Sequence, residues 1–158
     1  MLSSGAGESR MNENQISLPV DELPKKWYNI IPDLPEPFPP PREPENGPSR
    51  LEFLSKTMIN ECLKQEGSSE RWIPVPEEVQ ELFIQAGRPR PLCRARRFEK
   101  RLGLKKTRIY YKREDLSPTG SHKTNTALTQ AYFAAKEGKD TLVTETGAGQ
   151  WGTALSYA

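Results

Sequence analysis

The strongest constraint on this chain is an ordered set of signals over residues 108–158. A β-branched and aromatic run, a loop, an alanine-rich helical stretch, a second β-branched run, a second loop and a second helix start follow one another. Ile109, Tyr110 and Tyr111 predict a buried strand over 108–112, Ser117-Pro118-Thr119-Gly120 is turn chemistry, and 125–136 has helix composition. Gly138-Lys139-Asp140 predicts a turn, Thr141-Leu142-Val143-Thr144 a second buried strand, and 152–158 another helix. Strand, crossover helix and strand make a βαβ unit, and such units build parallel sheets covered by helices on both faces. The expected fold class is therefore α/β.

In open parallel sheets ligands collect beyond the carboxyl ends of the strands, and both loops of this unit lie there, so they should face one site. Lys123 stands at a helix start, beside a loop expected to offer free backbone N–H groups and the positive end of a helix dipole. That setting holds an anionic group within reach of the amine, and an ε-amine so placed suits condensation with an aldehyde. Glu145 directly follows the second strand, and Thr146-Gly147-Ala148-Gly149-Gln150 puts small residues before the next helix. Backbone N–H groups in such a stretch can approach a carboxylate or phosphate closely. Taken singly, a lysine at a helix start is more often structural, and a glutamate there can serve the helix dipole alone. Their occurrence at two successive strand ends is what favours chemistry.

The rest of the chain excludes several classes. A net charge of +2 with both signs mixed argues against a nucleic-acid-binding tail or a membrane-surface patch. No apolar run approaches the roughly 18 residues of a bilayer span, and residues 1–20 have neither a basic n-region nor an apolar h-region, so a cytoplasmic location is expected. Cys62 and Cys93 lack metal or redox spacing and are expected to be reduced structural thiols. Gly120 to Thr124 ends in Lys-Thr like a P-loop, but His122 and Ser117 stand where that motif requires glycines. The basic run Arg94, Arg96, Arg97, Lys100, Arg101 is read as a solvated helix face, because Glu99 interrupts it and no aromatic platform is interleaved.

Three regions are expected. Residues 1–15 are Ser/Gly/Glu/Asn-rich and read as disordered, with Met11 an alternative start. Residues 16–48 form a proline-dominated extended arm whose Trp27, Tyr28, Ile30, Ile31 and Phe38 look like packing anchors, which an SH3-type ligand or a linker would not need. Residues 49–158 form a catalytic α/β domain that is incomplete. Within it, Ser49 and Glu52 make a capping box for a helix passing Leu51, Leu54, Met58 and Cys62 and ending at Gly67-Ser68-Ser69. A second helix starts at Pro76 and closes at Gly87. The connector Arg88-Pro89-Arg90-Pro91-Leu92 is extended, and Ala95 to Leu102 is a third helix closed by Gly103.

Lys112-Arg113-Glu114-Asp115-Leu116, Gly120-Ser121-His122-Lys123-Thr124-Asn125 and Glu145-Thr146-Gly147-Ala148-Gly149-Gln150 together resemble tryptophan synthase beta chains, within the fold type II family of pyridoxal-phosphate enzymes. The arm with Trp27-Tyr28-Asn29, and Trp151 where the commoner beta chains have a histidine, resemble the second, divergent class of those chains. The likeness covers the chain beyond about residue 15 and is sharpest from residue 87 onward.

This resemblance implies a three-layer αβα fold with a parallel sheet, of which the chain is the N-terminal part, and pyridoxal 5'-phosphate as cofactor. It implies that Lys123 carries the cofactor, that His122 lies near the cofactor phosphate and that Asn125 also contacts the cofactor. Glu145 would be the acid–base, and Thr146, Gly147, Ala148, Gly149 and Gln150 would bind the substrate carboxylate through their N–H groups; no metal is implied. The implied reaction is replacement of the hydroxyl of L-serine by indole to give L-tryptophan and water. A homodimer and an alpha chain are the implied partners, with neither nucleic acid nor membrane. Another fold type II lyase, such as a serine/threonine deaminase, and a non-catalytic stretch that binds a partner subunit are the alternatives. The family's glycine-rich phosphate cup has no equivalent before Ala158, so the sequence is expected to belong to a longer chain and to be inactive and poorly folded alone.

Overall fold

The computed structural model describes residues 14–158. In chain order its elements are β1 (Gln15–Ile16), β2 (Lys26–Tyr28), α1 (Arg50–Thr57), α2 (Asn60–Glu66), β3 (Trp72–Pro74), α3 (Glu77–Gln85), β4 (Leu92–Arg94), α4 (Arg96–Arg101), β5 (Tyr110–Lys112), α5 (Lys123–Lys136) and α6 (Gln150–Tyr157). No helix among these residues is long and apolar enough to cross a membrane. The expected disorder and the alternative start at Met11 lie outside the described residues, but Gln15 itself is ordered by pairing with Cys93.

The core forms where α3 meets α5. Val79, Phe83 and Ala86 recur at helical spacing along α3 and its end, and with Val75 and Leu128 of α5 they make one buried cluster. Pro76 and the acidic first turn Glu77-Glu78 start α3, and Gly87, at φ 83°, closes it in the left-handed region. Ala127, Leu128, Phe133 and Ala134 are the buried apolar residues of α5, and Ala154 of α6 is fully buried. The proline-rich arm is held where its aromatic residues meet this body. Trp27 packs on the core cluster, β2 pairs antiparallel with β3, Tyr28 lies 5.1 Å from Trp72, and the Asn29 side chain donates to Ser68 O at 2.8 Å. Phe38, expected to anchor as well, is 66% exposed.

Two expectations are corrected. The helix begun at Ser49 divides into α1 and α2 at Met58-Ile59, both extended in ψ. Ser55 and Thr57 hydroxyls bond back to the Glu52 and Phe53 carbonyls, which weakens propagation of the first helix. The second helix receives its cap from across the fold, because the Glu137 carboxylate accepts from the Asn60 and Glu61 N–H groups at 3.1 and 2.9 Å.

The second predicted strand, 141–144, is likewise not formed. The mixed α/β character stands, but every ladder among the described residues is antiparallel, in the orders β1-β4-β5 and β2-β3. Residues 141–144 form no regular element and are exposed, with Val143 92% exposed, and they flank a hollow shared with Ala131 and Ala134 of α5 and Leu155 of α6. A parallel strand requires a hydrogen-bonded neighbour as well as a helical layer, and among the described residues only the helices are beside it.

Glu99 behaves opposite to its expected part in breaking up the basic face. It is buried, takes three hydrogen bonds from Arg94 at 2.9 to 3.1 Å and one from Ile109 N–H at 2.8 Å. The outward residues Arg97, Lys100 and Arg101 are therefore left without an opposing charge from their own helix.

Two outcomes follow from this packing. Leu128→Ala is expected to destabilise the fold by about 2 to 5 kcal/mol, measured by urea denaturation. Hydrogen bonds from the Glu61 and Asn60 N–H groups hold the Glu137 carboxyl below the ordinary carboxylate range, the Glu61 bond contributing most. Its stabilising effect is thus complete above the ordinary glutamate value, about 4.3, and is lost as pH falls through the lower folded value. The stability difference between the native chain and Glu137→Gln should therefore shrink on acidification below that point.

Candidate active site

The loop before α5 is closed on itself. Ser117 Oγ donates to Ser121 O at 2.7 Å and accepts from Ser121 N–H at 2.8 Å, while the hydroxyls of Thr119 and the fully buried Thr124 share a hydrogen bond of 2.5 Å. Gly120 turns the chain at φ 67°. The Gly120 N–H goes to Ser117 O, the Lys123 N–H to Ser121 Oγ, the Thr124 N–H to Ser121 O and the Asn125 N–H to His122 O. The free N–H groups expected here are therefore largely spent within the loop, which becomes a rigid mount for the start of α5 in place of an open anion cradle. Lys123 is half-buried on that mount, and His122, the residue before it, is exposed.

Behind the mount lies a residue that the pattern of the sequence does not mark. Arg90 is 2% exposed, and its guanidinium donates to Ala86 O at 2.7 Å, to Glu114 at 3.0 Å and to Asn125 Oδ1 at 3.2 Å. The Asn125 Nδ2 in turn donates to Glu114 at 3.2 Å, and the Lys112 ammonium donates to Arg90 O. Asn125, expected at the cofactor, is thus first a member of this network, with one amide hydrogen left for a ligand. The one signal in the sequence is that Pro89 and Pro91 fix the backbone on either side of Arg90.

The loop before α6 is built the other way. Thr146 Oγ1 accepts from Gly152 N–H at 3.1 Å, the Trp151 indole donates to Thr144 Oγ1 at 2.8 Å, and Gly149 enters α6 at φ 86°. A Cβ on Gly152 would stand 2.9 Å from Thr146 Cγ2, so only glycine lets the loop lie this close to the helix. The N–H groups of Thr146, Gly147, Ala148, Gly149 and Gln150 have no acceptor among the described residues. Glu145 is exposed, and its carboxylate makes no ion pair among them.

Lys123 and the Thr146–Gln150 stretch thus stand at the N-terminal ends of two helices, α5 and α6, that pack on each other. The hollow beside the second loop, about 570 Å³, takes in Thr144, Thr146 and Gly152 but neither Lys123 nor Glu145.

Residues 84–158, which include both loops, match the family described as pyridoxal-phosphate dependent enzyme. Over 145 residues, 92% of this chain, the sequence is 57% identical to tryptophan synthase beta chain 2 of Methanothermobacter thermautotrophicus. It is 56% identical over 142 residues, 89% of the chain, to the tryptophan synthase beta chain of Thermococcus gammatolerans. To tryptophan synthase beta chain 1 of Sulfurisphaera tokodaii it is 55% identical over 139 residues, 87% of the chain. The matches cover 33%, 32% and 33% of those proteins, so the chain spans about one third of the length of the curated relatives it matches. The likeness read from the two loops and the arm is therefore met by relatives of the same kind, a beta chain 2 among them.

Removing the Arg90 side chain leaves Glu114 and Asn125 without their buried partner. Arg90→Ala is expected to cost about 3 to 5 kcal/mol, the penalty of breaking a buried pair from one side, read as a lowered midpoint of thermal unfolding.

Proposed function

We propose that the protein carrying these residues is a pyridoxal-phosphate-dependent carbon–oxygen lyase of the tryptophan synthase beta type. In this reading it replaces the hydroxyl of L-serine with indole, giving L-tryptophan and water. The observation that carries the proposal is the 57% identity over 92% of the chain to a tryptophan synthase beta chain. The donor set fits the cofactor. Lys123 offers a half-buried amine on a rigid mount, His122 an exposed imidazole beside it, and Asn125 a remaining amide hydrogen.

The cofactor, when bound, supplies an electron sink that makes the substrate Cα–H acidic. The chain's own residues do the rest. Lys123 holds the cofactor, and its freed ε-amine takes the Cα proton of serine and later returns a proton to the same carbon. The serine carboxylate is held by the Thr146, Gly147, Ala148, Gly149 and Gln150 N–H groups, whose lack of acceptors among the described residues supports this role. Glu145 donates a proton to the departing hydroxyl, so the Cβ–O bond breaks and water leaves. Its carboxylate then accepts a hydrogen bond from the indole N–H while the indole C3 carbon bonds to Cβ, and it takes up the proton that C3 gives up as the ring regains aromaticity, which restores the acid. The proposal extends to a cytoplasmic homodimer, to pairing with an alpha chain, and to 16–48 as an arm laid on a catalytic domain that begins at residue 49.

Glu145→Gln is expected to retain the cofactor and to slow β-elimination by about 10²-fold or more. Lys123→Ala should abolish turnover. Both are measured as tryptophan formed from serine and indole, and near-normal output from Glu145→Gln would contradict the acid–base role.

A further inference from the structure

Arg88, two residues before the buried Arg90, is half-buried in a different setting. Its guanidinium carbon lies over the Phe83 ring, 4.3 Å from the centroid, and its side chain has no hydrogen-bond or ion-pair partner among the described residues. Arg90, by contrast, has three acceptors. A ring contact satisfies the face of a guanidinium and leaves its in-plane N–H donors free. Those donors belong to a residue that lines a cavity of about 410 Å³ together with Trp27, Gln65, Thr126, Thr129 and Gln130. That volume is within the range of small-molecule sites, roughly 300 to 1,000 Å³.

We propose that this cavity, between the arm, α2, α3 and α5, binds a small monocarboxylate with a flat apolar body. Arg88 takes the carboxylate through its paired N–H donors, the side chains of Gln65 and Gln130 supply further polar contacts, and Trp27 lies against the body. The chemistry selects this class. Burial pushes the Arg88 guanidinium below its ordinary range, an effect that the charge of Glu114 opposes and that of Arg90 reinforces, so a half-desolvated cation is present that a bound anion stabilises. One cation matches one negative charge. A phosphate dianion would leave excess charge close to Glu114, and the cavity offers it no second cation. Neither Lys123 nor Glu145 lines this cavity, whereas Asn125 does, and the test reads ligand binding with no turnover, so its outcome is separate from that of the proposed reaction.

The test is calorimetric titration of the purified protein with benzoate, using benzamide as a neutral molecule of the same shape. Saturable benzoate binding is expected, with benzamide roughly tenfold weaker or more, as for loss of a charge-assisted bidentate contact. Arg88→Gln should lower benzoate to the level of benzamide. Thr126→Trp, which fills the cavity and leaves the guanidinium in place, should abolish binding of both, and thermal melts of the ligand-free variants verify that they fold. Equal affinity for benzoate and benzamide, or benzoate binding untouched by either variant, would overturn the proposal. So would the absence of saturable binding into the millimolar range, the result expected if a carboxylate side chain from another stretch of polypeptide already held Arg88.

Discussion

The buried guanidinium of Arg90 is the point on which the arrangement of the site depends. A charge taken out of water is tolerated where its terminal donors find acceptors, and those of Arg90 Nη1 and Nη2 come from three places, the end of α3, the turn containing Glu114, and the first turn of α5, while Nε is buried without a partner among the described residues. Meeting that one requirement fixes those parts to each other. The apolar contact of Val79, Phe83 and Leu128 then closes the same two helices from the other side. Lys123 owes its position to both, because it is the first residue of a helix held by a polar network at its start and a core farther along.

The two loops differ in how their backbone groups are used, and the proposed site draws on that difference. Before α5, serine and threonine hydroxyls absorb the loop's own N–H and C=O groups, so the loop is stiff and offers side chains. Before α6, small residues and a left-handed glycine leave successive N–H groups unpaired, so the loop offers backbone donors. A covalent holder of the cofactor needs the first kind of support and a carboxylate grip needs the second.

Much of this was legible in the sequence. Helix ends were, because they follow local rules: the Pro76 start and Gly87 stop of α3, the Ser49 cap, and the left-handed Gly120 and Gly149 all occur where composition places them. The residues before the two helices were legible for the same reason. What escaped depends on partners distant in the chain. Glu137 caps α2 from 76 residues away and so splits a helix that local pattern would continue. Glu99 turns inward to Arg94 and Ile109, and Arg90 finds Glu114 and Asn125. A strand is the extreme case, since 141–144 has strand composition yet takes ladder form only where a neighbour lies beside it.

The central claim is that Lys123 holds the cofactor because of where α5 begins. Borohydride reduction of the cofactor-loaded protein, followed by peptide mapping, tests it most directly, since reduction fixes the pyridoxyl group to whichever amine carries it. The label is predicted on Lys123. Lys112 is engaged by Arg90 O, and Lys136 lies exposed beside Glu78 at the far end of the helix. A label on either of those residues would contradict the account.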